Sequence, residues 1–335
     1  MTVPIDRFRG LLAEAVARRA ELAATPGLEA WRVFAGGGDG WEGMYIDRYG
    51  PGVVLMMYEG TPVDALDPTL TARTALEVLS ALGVTSVYAK PFARDRSKLG
   101  GAHPASLNDP NPAAGMALPE ALMVREHGCV FEVRLWDGFS TGIFLDQREN
   151  RKRLAALAGQ TKGMRVLNTF AYTCGFSVAC ARAGAITASV DVSGRYLDWG
   201  KRNFSHNGLD IAPHRFARMD TFEFLDYARR KGLLFDLIVL DPPSFASADK
   251  RRGIRAWSAV ADYARLVGSA AERLDPKGAG LVFASTNTLE LCRPGRLDRE
   301  VVKGLAREPR WLELPEPPTD FRNEPGRFAA RLFRV

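Results

Sequence analysis

The chain is poor in the residues that hold small secreted or metal-dependent folds together. Four cysteines, Cys129, Cys174, Cys180 and Cys292, are scattered through 335 residues. They form no Cys-x-x-Cys pair and no grouping with histidine, so neither a disulfide framework nor a metal site is expected. No stretch approaches the roughly 18 uncharged apolar residues that cross a bilayer. The opening Met1-Thr2-Val3-Pro4-Ile5-Asp6-Arg7 lacks the apolar run of a signal peptide, so a cytoplasmic protein with no membrane partner is expected. Internal repeats and low-complexity tracts are absent as well, and the turn at 169–175, where an α/β dinucleotide site would carry it, lacks a Gly-x-Gly-x-x-Gly fingerprint.

What is present is an ordinary globular composition, 46% hydrophobic and 25% charged, enough for a full core. Single cores stop growing at roughly 250–300 residues, so the length predicts two domains. A net charge of +6 with pI near 9.2 suits a polyanionic partner, although many basic proteins bind none.

Apolar positions Phe8, Leu11, Leu12, Ala15, Val16 and Leu22 recur at helical spacing and predict a helix over 6–24, stopped by Thr25-Pro26-Gly27. From Trp31 the pattern changes to short apolar runs, 44–46 and 53–58, separated by Tyr49-Gly50-Pro51-Gly52, which read as antiparallel hairpins. A helix over 71–81, a strand over 86–90, a Pro/Asn-rich loop at 103–114 and strands near 129–135 complete an α+β region. After a helix over 147–159 the style becomes regular: strands 164–168, 186–191, 213–218, 235–240 and 279–285, separated by helices 175–183, 194–207, 221–230 and 256–273. That alternation predicts right-handed βαβ units and a parallel sheet covered on both faces. The expected domains are an N-terminal helix (1–28), an α+β substrate- or RNA-recognition domain (29–135) and an α/β catalytic domain (136–335).

In an open parallel sheet, ligands bind outside the carboxyl ends of the strands. The first predicted strand ends at Asn168 and runs through Thr169-Phe170-Ala171-Tyr172-Thr173-Cys174-Gly175 into a helix. Gly175 there lets the backbone approach a ligand at the helix N-terminus. The second strand ends at Asp191, where a carboxylate can accept hydrogen bonds from both hydroxyls of a ribose or else cap the next helix. The third leads to Asp220, placed to meet an adenine amino group beside Phe222, or again to cap. The fourth delivers Asp241-Pro242-Pro243-Ser244-Phe245, the strongest motif. Its two prolines fix the backbone and free carbonyls from sheet pairing, and Phe245 can stack on a planar base. In this order the residues describe an adenosine ligand beside a planar substrate.

These motifs resemble those of the bacterial large-subunit rRNA base methyltransferases, a family that includes 5-methylcytosine and guanine-N7 enzymes. The resemblance runs from about Trp31 to the C-terminus and extends to Gly38-Asp39-Gly40, Asp47-Arg48-Tyr49-Gly50 and Ser140-Thr141-Gly142-Ile143-Phe144-Leu145-Asp146-Gln147-Arg148. It implies a Rossmann-like class I S-adenosylmethionine (SAM) methyltransferase domain, with a mostly parallel seven-stranded sheet between helices, preceded by a smaller α+β domain. It implies SAM as cofactor. Thr141, Gly142, Phe144, Gln147 and Arg148 would join Asn168, Phe170, Tyr172, Gly175, Asp191, Asp220 and Asp241 around it, although Arg148 could equally form an ion pair at a helix start. Asp241, Pro242, Pro243 and Phe245 would hold the substrate base for catalysis. The implied partner is RNA, 23S rRNA or a ribosomal precursor. Candidate phosphate contacts are Lys90, Arg94, Arg96 and Lys98, then Lys250, Arg251, Arg252 and Arg255, which as basic clusters could equally be solvated loops.

The sequence departs from the family pattern twice. The small N-terminal PUA domain of many members has no counterpart before Trp31, so residues 30–135 and the catalytic face are expected to grip the substrate. The cytosine-C5 enzymes carry a cysteine just after the last core strand, where this chain reads Phe283-Ala284-Ser285-Thr286-Asn287. A serine is a far poorer nucleophile than a partly ionised thiol, and Asn287 is compatible with the guanine-N7 pattern. A ring-nitrogen acceptor, needing only alignment with the methyl group, is therefore expected over cytosine C5. Methylation of a small molecule or protein side chain, and a non-catalytic SAM- or RNA-binding module, remain open, as does the choice between monomer and homodimer.

Overall fold

The computed structural model of the protein describes residues 4–92, 105–246, 248, 255–324 and 326–335. Arg94, Arg96, Lys98, Lys250, Arg251 and Arg252 lie outside the described residues. The chain divides into two compact units, Met1–Arg148 with Pro317–Glu324, and Glu149–Glu316 with Pro325–Val335. The first unit thus extends past the boundary expected after residue 135 and recruits a short segment from far along the chain.

In the first unit, helix α1 (Pro4–Arg18) and the short α2 (Ala20–Ala24) precede strands β1 (Ala30–Ala35), β2 (Met44–Tyr49) and β3 (Gly52–Tyr58). Helix α3 (Pro68–Leu79), strands β4 (Ser86–Phe92) and β5 (Ala114–Gly115), and a separate hairpin of β6 (Leu122–Glu126) and β7 (Cys129–Val133) follow. The single helix expected over 6–24 breaks at Arg19 (φ −109°, ψ 18°). There the guanidinium folds back to the Ala15 carbonyl and the buried Asp39 carboxylate. The five strands align in order, with β3 and β4 parallel because α3 crosses between them. Phe8, Leu12 and Ala15 of α1 and Ala72, Ala75 and Leu79 of α3 share one apolar core with Trp31, Phe34, Ile46 and Leu55 of the sheet. The β6–β7 turn needs two consecutive left-handed residues, supplied by His127 (φ 48°) and Gly128 (φ 79°), as a tight two-residue hairpin demands.

The shared Gly-Asp-Gly and Asp-Arg-Tyr-Gly motifs hold this unit together. Asp39 accepts the Ala35 amide and the Arg19 guanidinium, both at 2.6 Å. Asp47 pairs with Arg32 at 2.7 Å, and Arg48 lies 4.3 Å over the Trp31 ring.

The second unit alternates as expected: α4 (Arg148–Ala158), β8 (Arg165–Thr169), α5 (Gly175–Arg182), β9 (Ile186–Asp191), α6 (Gly194–His206), β10 (Arg215–Arg218), α7 (Thr221–Arg230) and β11 (Leu237–Leu240). A short pair, β12 (Phe245–Ala246) and β13 (Trp257–Ser258), leads to α8 (Ala259–Ala271), β14 (Leu281–Thr286), α9 (Arg296–Leu305), β15 (Arg310–Leu312) and β16 (Ala329–Arg334). The seven-stranded sheet runs β10-β9-β8-β11-β14-β16-β15. It is parallel from β10 to β14, and β16 is antiparallel to both of its neighbours. The strand order therefore reverses between β8 and β11, where open α/β sheets present a ligand crevice. The central strands are apolar on both faces: Leu237, Ile238, Val239 and Leu240 are all fully buried, as covered parallel strands require. Helix α9 and strands β15 and β16 were not anticipated from the sequence.

Candidate active site

Strands β10, β9, β8, β11 and β14 all end on one edge of the sheet, and the turns leaving that edge carry most candidate residues. Between β8 and α5 the chain passes through Phe170, Tyr172 and Cys174 at φ +51°, +50° and +64°. A left-handed backbone in a non-glycine residue costs on the order of 1–2 kcal/mol, so three such residues persist only where neighbours hold them. The holding bonds run from the Ala171 amide to the Val190 carbonyl, from the Tyr172 amide to Asp191 Oδ2, and from Asn203 Nδ2 to the Thr173 carbonyl, at 2.9, 2.9 and 3.0 Å. The Tyr172 ring stands edge-on to Tyr196, with centroids 4.5 Å apart.

Asp191 closes this turn from the end of β9. Its Oδ2 accepts Tyr172 N–H and its Oδ1 accepts Ser193 N–H at 2.8 Å. Burial pushes its carboxyl above the ordinary carboxylate range, against the opposing pull of these two N–H bonds. A carboxylate oxygen has room for a second donor, so Asp191 can still receive ribose hydroxyls. Asp220 caps α7, its Oδ1 accepting the Phe222 and Glu223 amides at 2.8 and 3.4 Å, and Oδ2 has no partner among the described residues. These two carboxylates and Gly175, which opens α5, all leave the same carboxyl edge of the sheet.

Asn168 is placed otherwise. At 1% exposure it faces the interior, where Nδ2 donates to Ser177 Oγ (3.0 Å), itself bonded to Ser189 Oγ (2.8 Å). A buried amide must satisfy its own hydrogens, and here it ties β8 to α5 and β9. Its expected contact with the cofactor is thus replaced by a structural one.

The Asp-Pro-Pro-Ser-Phe turn leaves β11. Asp241 Oδ1 accepts Ser285 Oγ at 2.6 Å. The Pro243 carbonyl, expected to receive the substrate base, already accepts the Trp257 indole N–H at 2.6 Å, because β13 folds back beside the turn. The Pro242 carbonyl has no hydrogen-bond partner among the described residues. Ser244 Oγ donates to Asn287 Oδ1 at 2.8 Å, and the Ser244 carbonyl accepts the Ala259 amide at 3.1 Å. The turn is therefore fastened to both β14 and α8. Phe245 is 65% exposed, a bare ring on a held backbone. The Phe170 and Trp257 ring centroids lie 5.6 Å apart, so the β8–α5 turn and the Pro-Pro turn meet across that indole.

Trp257 and Ser285's bond to Asp241 were missed in the sequence. Trp257 follows a basic loop with nothing to mark it, and in the sequence Ser285 reads only as the place of a missing nucleophile.

The remaining candidates belong to the first unit. Thr141 Oγ1 donates to the Tyr49 hydroxyl at 2.8 Å, Gly142 sits at φ +111°, Phe144 is exposed, and the Gln147 amide donates to the Phe144 carbonyl. Arg148, expected beside the cofactor, forms a bidentate pair with Asp320 at 2.6 and 3.2 Å, both side chains being almost wholly buried. The ion-pair alternative is the one the structure displays. Lys90 is corrected outright: it is 2% exposed and donates to the Gly138 carbonyl at 2.6 Å, so it cannot meet a phosphate. Burial pulls its ammonium down to about 8, with Asp137 pulling the other way. Of the eight expected phosphate contacts, Arg255 is the described residue that stays exposed. Among the described residues, no group of three or more metal-ligating side chains converges, and no helix is long and apolar enough to cross a membrane.

The sequence profile of the S-adenosylmethionine-dependent methyltransferases matches residues 106–319. A ribosomal RNA large subunit methyltransferase of Deinococcus radiodurans is 36% identical over 280 residues, 81% of this chain and 64% of that protein. The ribosomal RNA large subunit methyltransferase I of Aeromonas salmonicida is 31% identical over 315 residues, 93% of this chain and 75% of that protein. A crystal structure assigned as a methyltransferase complexed with SAH superimposes with a TM-score of 0.85 at 30% identity, covering 100% of this chain and 83% of that one. The chain spans about two thirds of the length of the curated relatives it matches.

Proposed function

The chain belongs to the S-adenosylmethionine-dependent methyltransferase family, and from that premise we propose that it methylates a nucleobase of RNA, in 23S rRNA or its precursor, at a ring nitrogen rather than at cytosine C5. SAM supplies the electrophilic methyl group. The chain's own residues bind and align. Asp191 and Asp220 take the adenosine end. Asp241 and the Pro242 carbonyl hold the edge of the target base, and the exposed Phe245 ring stacks on its face. A base in folded RNA has to be unpaired or flipped to reach this edge.

The RNA substrate is supported by the relatives' large-subunit rRNA activity and by the basic charge. The nitrogen acceptor is carried by one observation, the lack of an activated thiol at the sheet edge. Methylating cytosine C5 needs a thiolate to attack the ring. Ser285 stands fully buried at the end of β14. Burial pushes the Cys292 thiol up to about 11 and the Cys174 thiol up to about 12, and Cys292 Sγ is turned to the Thr286 carbonyl. Thiols held this far above neutrality are not nucleophiles.

The test is methyl transfer from tritiated SAM to RNA from cells lacking the protein, followed by nucleoside analysis. Label in a ring-nitrogen-methylated base, abolished by Asp241→Ala, is the expected result. Label in 5-methylcytosine would overturn the chemistry. SAM binding without any labelled RNA would overturn the substrate and point to a small molecule or a protein side chain.

A further inference from the structure

We propose that Ser285 is a positioning residue for Asp241, its buried hydroxyl fixing the orientation in which that carboxylate meets the substrate base. This rests on the reading above, in which Asp241 holds the base. A terminal carboxylate torsion is intrinsically broad, so an aspartate at the start of an exposed turn needs a partner if its acceptor directions are to be set before substrate arrives. Ser285 Oγ supplies one at 2.6 Å, the short distance of a hydrogen bond to an ionised acceptor.

The donor is itself held. Ser285 lies within β14, between β11 on one side and β16 on the other, in register with Ala330. Its carbonyl accepts the Tyr263 hydroxyl at 2.8 Å, and the same hydroxyl lies 3.5 Å from the carbonyl of Leu240, the residue before Asp241. Tyr263 is fully buried in α8. One phenol thus ties together the ends of the two strands that carry the donor and the acceptor. A second tie, Ser244 to Asn287, joins the same two turns further out.

The arrangement also says what Ser285 does not do. Its side chain is 0% exposed, so its oxygen cannot reach a substrate carbon. Its proton points at a carboxylate, whose basicity is far too low to generate an alkoxide. The hydroxyl presets geometry, a contribution that appears in the transition state rather than in cofactor binding.

The experiment measures kcat, KM for RNA and SAM affinity for wild type, Ser285→Ala, Ser285→Thr and Tyr263→Phe, with thermal melting of each. Ser285→Ala is expected to lower kcat about tenfold to a hundredfold, the range of a lost hydrogen bond to a charged group. SAM affinity should stay within about twofold. Ser285→Thr, which keeps the donor, should restore most of the loss, and Tyr263→Phe should lower kcat in the same direction by less. Unchanged kcat in Ser285→Ala, while Asp241→Ala is inactive, would overturn the positioning role and leave the proposed function standing. Parallel loss of SAM affinity and melting temperature in Ser285→Ala would overturn it too, by making the role structural. A wild-type enzyme that labels no RNA base defeats the underlying reading instead, whatever the variants do.

Discussion

Two buried charges in the first unit carry consequences that can be measured residue by residue. Lys90 loses its proton in the folded state near pH 8, against an ordinary 10.5. Between those values the unfolded chain binds the extra proton, so stability rises with pH across that window, by roughly 3 kcal/mol in all. Urea unfolding from pH 7.5 to 10 should show this slope, and Lys90→Met should flatten it. Asp320 receives the Arg32 amide at 2.8 Å and the Arg148 guanidinium. Removing one partner of a buried pair costs about 3–5 kcal/mol, so Asp320→Ala should lose that much in denaturant unfolding. The double variant Arg148→Met with Asp320→Leu should recover a large part of it, because two apolar groups carry no desolvation penalty. Neither partner could be named from the sequence. Lys90 reads as one more cation before a basic run, and its burial comes from its inward place in β4. Arg148 and Asp320 are 172 residues apart.

At the scale of elements, the regular alternation from β8 to β14 was legible because helix and strand periods switch cleanly and each parallel strand is a continuous apolar run. The last third was not. Strand β16 mixes Arg331 and Arg334 with the buried Leu332 and Phe333, and it completes the sheet by antiparallel pairing, which no βαβ pattern announces. The sequence also hid how the β8–α5 turn is built. Cys174 adopts φ +64°, and its sulfur fills the space beside Gly200, where an added Cβ would lie 2.3 Å from Sγ and 2.9 Å from the Cys174 Cβ. The two positions are thus complementary in size. Gly200→Ala alone should destabilise through that clash despite the better helix propensity of alanine. Cys174→Gly with Gly200→Ala should melt above the Gly200→Ala variant, since it removes the clash and about 1–2 kcal/mol of backbone strain. Equal melting temperatures for the two would refute this account of the turn.

For the molecule as a whole, the net charge of +6 suits the proposed RNA partner without locating the contact. Arg255, exposed after the Pro-Pro turn, should reduce the slope of log affinity for RNA against log salt by about one when changed to alanine. Lys90→Met should leave that slope unchanged, because a buried ammonium releases no counterion. An identical slope for Arg255→Ala would return that residue to the solvated loops. The placement of Asp191, Asp220 and Asp241 at the carboxyl ends of successive strands was legible, because each follows an apolar run in a fixed order. The cap that Asp220 makes on α7 was among the readings the sequence offered, whereas the serine from another strand that fastens Asp241 depends on register and was not legible.

The loan of Pro317–Glu324 to the first unit also bears on time. A ribosome makes that unit's sheet early, yet the Arg32 amide and Arg148 guanidinium wait for a carboxylate that Arg32 precedes by 288 residues. Arg148, the later of the two donors, precedes it by 172 residues, an interval of roughly 9–34 seconds at synthesis rates of about 5–20 residues per second. For that time the nascent first unit holds two inward-turned donors with their acceptor still unmade, and its completion waits until most of the second unit has been made.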